Sequence, residues 1–208
     1  MERNWKTCAP WLERVRDLAA NKLKLGYWFT EIGMAGPTLE ASLAAVAMAQ
    51  GELGHGRLLL TWLRELAGET IDEAQFLERY GYRRAADEAD WVALMGIAFG
   101  LLAVADLSLR AWAARETEIA SRLRKLFAEQ AEHLAFVEEW VRLLLNDAPA
   151  VQERTRLCLM RTRQWAEGWI ASLDDPGLAA VGLALDAETG KGELARMYSR
   201  LLVGAGVR

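Results

Sequence analysis

The sequence is poor in what a sheet-based, secreted or nucleic-acid-binding protein needs. Its 208 residues include 10 Val and 5 Ile against 35 Ala and 33 Leu, too few strand formers for a β core. Cysteine occurs twice, at Cys8 and Cys158, and the N-terminus does not resemble a signal peptide, so a reduced, cytoplasmic protein is expected. No charge of one sign dominates: the formal net charge is −4 and the pI about 5.4. That balance argues against a general nucleic-acid binder or a basic membrane-surface protein. The longest apolar run, Trp91 to Ala105, stops at Asp106. A spanning helix needs roughly 20 residues, so this run reads as a buried core helix and no membrane association is expected. What is present is a globular composition, 52% apolar and 26% charged, long enough to bury a full core.

With four prolines and abundant helix formers, breakers divide the chain into long helices. Pro10 opens the first, which runs to Gly33. Gly36-Pro37 separates it from a second reaching about Leu66. A short helix is expected over Asp72 to Arg79, before the turn Tyr80-Gly81-Tyr82. Two long helices follow, at about Ala89 to Ala114 and Thr117 to Asn146. A fifth runs from Val151 to Leu173 and ends at Asp174-Asp175-Pro176-Gly177, a strong turn signal. Two short helices close the chain, near Leu178 to Leu185 and Glu193 to Leu202. Long helices with short connections describe an antiparallel bundle. With no solenoid-period repeat and no long linker, the expectation is one all-α domain over residues 1–208, with C-terminal helices added to a four-helix bundle.

Two histidines carry the chemical interest. Glu52-Leu53-Gly54-His55 is a Glu-x-x-His pair on the second helix, and residues three apart share a helical face. Ferritin-like di-iron bundles use this pair on two helices and one carboxylate from each of two others. On the fourth helix His133 follows Gln130 at i−3 and Glu129 at i−4, so an amide stands where a metal would prefer a carboxylate. Folding the first two helices about Gly36-Pro37 sets Glu52 opposite Asn21 and His55 opposite Leu18, with Asp17 the nearest carboxylate. On the same arithmetic Glu31 lies ~15 Å from that level. Turning the next two helices near Ala114 to Thr117 sets His133 opposite Phe99 and Gln130 opposite Leu102, with Asp106 one turn away. Asp106 is better read as the partner of an arginine such as Arg57 or Arg110 than as a ligand. The nine tryptophans read as packing elements, and Arg154, Arg156, Arg161 and Arg163 as a solvated helix face.

Leu25-Gly26-Tyr27-Trp28, Pro37-Thr38-Leu39 and Glu52-Leu53-Gly54-His55-Gly56, in this order, resemble the phenylacetic acid catabolic protein family. Glu129-Gln130-Ala131-Glu132-His133 falls at that family's second metal-helix motif. The family comprises the A and C subunits of bacterial phenylacetyl-CoA epoxidase. The resemblance implies a ferritin-like subunit of a multicomponent oxygenase. In that family the A subunit holds a di-iron centre and epoxidises an aromatic acyl-CoA, and the C subunit supports it with a decayed site. Glu52, His55 and His133 match ligand positions. Gln130 stands where the catalytic subunit has Glu, and the family's remaining carboxylates fall opposite Ala19 and Leu101 or Leu102. Three of six ligands are thus missing.

The expectation is a supporting subunit paired with a homologous catalytic subunit in a homo- or hetero-oligomer, with no catalytic residue assigned. Its metal candidates, Glu52, His55, His133, Glu129, Gln130 and Asp106, are then vestigial, and no cofactor is expected. The alternatives are a catalytic chain holding iron or manganese through Glu52, His55 and His133, and a helical scaffold or sensor.

Overall fold

The computed structural model describes residues 4–68, 70–82 and 90–203. Among these residues are nine α-helices, one 3-10 turn (Trp5–Thr7) and no strand, so the chain is all-α, as its composition requires. It divides into two compact units, with the division after Leu94.

In the first unit α1 (Ala9–Gly33) and α2 (Leu39–Ala67) form an antiparallel hairpin, and α3 (Glu73–Arg79) packs on α1. Local chemistry sets the ends. Pro10 lies in the first turn of α1, where its missing N–H costs nothing. Thr38 caps α2 by accepting the Ala41 N–H at 3.1 Å, and Gly68 ends it with φ +67°, a conformation that favours glycine. Trp5, Trp11 and Trp62 stack edge-on at centroid distances of 4.7 to 6.0 Å and fill one end of this core.

Glycine sets the separation of α1 and α2. A Cβ on Gly26 would sit 2.7 Å from Leu53 Cγ, and one on Gly56 would sit 2.6 Å from Leu23 Cγ. These contacts also fix the register. Leu53 pairs with Gly26 and Ala45 with Gly33, whereas a fold-back about Gly36-Pro37 pairs Leu53 with residue 20. The offset arises because the first turns of α2 run on beyond the end of α1, which leaves Met34, Leu39 and Leu43 exposed.

α4 (Trp91–Ala113) is long and apolar enough to cross a membrane, but 83% of its apolar window is buried, as in a core helix. The expected start at Ala89 lies outside the described residues. In the second unit the expected helix over Thr117 to Asn146 is two: α5 (Thr117–Arg122) and α6 (Arg124–Leu145). Between them Leu123, fully buried, takes φ −98° and ψ 9°. No proline or glycine marks this break in the sequence. α7 (Pro149–Ala171) and α9 (Ala187–Val203) pack on each other and on α6. α9 starts earlier than expected, where Asp186 accepts the Thr189 N–H at 2.7 Å. The short α8 (Pro176–Ala180) opens on Asp175, which accepts the Gly177 and Leu178 N–H groups. Ser108, on α4, accepts from the Trp169 indole of α7 at 3.1 Å and donates to the Val104 carbonyl, so both buried polar groups are satisfied.

Of the tryptophans, Trp11, Trp62 and Trp112 are core elements, whereas Trp165 is 41% exposed. Arg154, Arg156 and Arg161 lie exposed on α7 and Arg163 pairs with Glu167 at 2.8 Å, a solvated face as expected.

Candidate metal centre

Glu52 and His55 stand one turn apart on α2, and both are buried. Nδ1 of His55 lies 3.7 Å from Oε1 of Glu52, so the i, i+3 spacing does bring imidazole and carboxylate to one face. Such a pair has the chemistry to hold a divalent metal ion.

What reaches Glu52 from α1 is a cation. Nζ of Lys22 lies 2.9 Å from Oε2 and 3.1 Å from Oε1, and Lys22 is only 3% exposed. Lys22 is not a carboxylate and so is absent from the ligand candidates that the sequence offers on α1. The signal was there: Val15, Leu18, Ala19, Lys22, Gly26, Phe29 and Gly33 follow helical spacing, and all are buried. A lysine inside an apolar stripe calls for a buried anion.

The observed register corrects the level arithmetic for this hairpin. Leu23 and Gly26, not Leu18 and Asn21, lie against the Glu52 to Gly56 stretch of α2. Asp17 is farther toward the start of α1 and pairs with Arg14 at 3.2 Å. Burial raises its carboxyl pKa above the usual value, against the lowering effect of Arg14. Glu31, which a fold-back about Gly36-Pro37 puts ~15 Å away, lies within about a turn of the Glu52 level. There it accepts the Tyr82 hydroxyl at 2.6 Å.

In the second unit the arithmetic holds. Gln130, fully buried, donates from Nε2 to the Leu102 carbonyl at 2.9 Å, the residue it was expected to face. His133 follows one turn along α6 and is half-buried. Glu129 lies 3.4 Å from Lys125, a surface pair on its own helix. Asp106 is ion-paired with Arg110, one of the two arginines expected for it, although Arg110 is largely exposed. Arg57 serves Glu73 instead, at 2.8 Å, and with the Tyr27 hydroxyl it holds that carboxyl below the usual range.

These donors do not fit a four-carboxylate di-iron centre. The α1 group at Glu52 is an ammonium, and Gln130 spends a donor on a main-chain carbonyl. A neutral amide and a cation cannot replace two anionic ligands for a hard metal.

No curated protein matches the chain. The family model described as phenylacetic acid catabolic protein matches residues 2–206, nearly the whole chain. The chain therefore belongs to the phenylacetic acid catabolic protein family, with the all-α, ferritin-like fold that this membership carries.

Proposed function

We propose that this chain is a non-catalytic, cytoplasmic subunit of a multicomponent aromatic acyl-CoA oxygenase, working beside a homologous catalytic subunit. Family membership supports the link to phenylacetate-type catabolism. The observation that carries the supporting role is the donor set: Lys22 on Glu52, and Gln130 on the Leu102 carbonyl. Glu52, His55 and His133 keep the family's ligand pattern as remnants in this reading. The chain's task is to bury a helical face against the catalytic homologue and to help shape its substrate site.

The test is co-expression with a family member that retains all its carboxylates. The expected result is a stable complex that oxidises an aromatic acyl-CoA, with this chain inactive when assayed alone. Turnover by the isolated chain would overturn the reading.

The rival reading keeps the chain catalytic, and the buried Glu52 and His55 on one helical face favour it. It requires near-stoichiometric iron or manganese in the purified protein, lost in His55→Ala. Elemental analysis decides between the two.

A further inference from the structure

We propose that Lys22 is a built-in counter-cation that stands in for a metal ion at Glu52 and disfavours metal binding there. This deepens the non-catalytic reading of the same site and rests on it for its functional meaning. Glu52 is fully buried, and a carboxylate away from water needs a positive partner or must give up its charge. The Lys22 ammonium meets both carboxylate oxygens, at 2.9 and 3.1 Å, as a ligated cation would. Its α1 backbone is held against α2 on the same side by the contacts of Gly26 with Leu53 and Leu23 with Gly56. A divalent ion on Glu52 would have to share a carboxylate whose two oxygens already face the Lys22 ammonium at 2.9 and 3.1 Å, and two cations on one buried carboxylate repel each other. Lysine and metal are therefore alternatives, and this chain has taken the lysine.

The experiment uses the full-length protein freed of metal with chelator, with cobalt(II) as the probe. Thermal melting and the visible absorption of cobalt are read for the unaltered chain, Lys22→Met, and Lys22→Met combined with Glu52→Gln. The unaltered chain should show no cobalt-dependent shift in Tm and no cobalt band. Lys22→Met should melt lower by roughly 10 °C and recover most of that loss on adding cobalt, with a ligand-field band. The double variant should melt near the unaltered chain and ignore cobalt, because no charge is left uncompensated. If Lys22→Met fails to fold while the double variant folds, the counter-charge role is upheld.

Three results would overturn the proposal. One is Lys22→Met melting like the unaltered chain without responding to cobalt. Another is the unaltered chain taking up cobalt as readily as Lys22→Met. The last is a double variant that cannot fold, which would make Lys22 a packing residue. None of these outcomes depends on the co-expression assay, so this proposal and the supporting-subunit reading can fail separately.

Discussion

Gln130 on α6 donates its side-chain N–H to the main-chain carbonyl of Leu102 on α4, at 2.9 Å. The residue that departs most plainly from the family's metal motif thus ties two helices together. A carboxylate in its place is an acceptor only, and it would face a carbonyl oxygen with no proton between them.

Gln130→Glu should therefore destabilise the protein by about 1–3 kcal/mol at neutral pH, through loss of the donor and repulsion at Leu102. Urea unfolding followed by circular dichroism measures this. A stabilised variant that gains iron would instead support the catalytic reading.

Glu52→Gln leaves the Lys22 ammonium buried against a neutral amide. Removing one partner of a buried ion pair typically costs about 3–5 kcal/mol, more than most surface changes. Denaturant unfolding should show this loss, and a change near zero would mean that the pair does not hold the α1–α2 hairpin.

Two glycines on the hairpin should respond to alanine with opposite signs. Gly26→Ala drives a methyl to 2.7 Å from Leu53 Cγ and 3.0 Å from its main-chain nitrogen, so α1 and α2 must move apart. The cost should be about 1–3 kcal/mol. Gly54, on the exposed side of α2, has nothing within 4 Å of its Cβ position. Gly54→Ala should stabilise by about 0.5–1 kcal/mol through helix propensity alone. Thermal melts of the two variants test the register directly.

Tyr198 donates to Thr162 at 3.2 Å, and burial pushes its pKa up to about 12 from the ordinary 10.0. The folded state resists ionising this phenol more than the unfolded chain does. Its contribution is therefore full below pH 10 and is lost as the pH rises toward 12. Tyr198→Phe should cost about 0.5–1.5 kcal/mol at neutral pH, for the lost hydrogen bond. Between about pH 9 and pH 11.5 it should lose less further stability than the unaltered chain, by roughly 2 kcal/mol. Paired urea titrations at the two pH values test this, and equal losses would contradict it.

Much of this molecule is written locally. Alanine and leucine in excess over valine and isoleucine made it all-α, and Pro10, Thr38, Gly68 and Pro149 mark where helices begin or end. The Glu52–His55 pair was legible from spacing alone, and so was the level of Gln130 and Leu102, which α5 and α6 keep despite the break at Leu123. Tertiary packing decided the rest. The register of α1 on α2 depends on where Gly26, Gly33 and Gly56 let two backbones approach, and loop position does not encode that distance. The break at Leu123 depends on a buried leucine with no sequence breaker beside it. The partner of Glu52 depended on both helices at once. Lys22 stands 30 residues away in the chain, and only the folded hairpin turns a lysine in an apolar stripe into the counter-charge of a buried carboxylate.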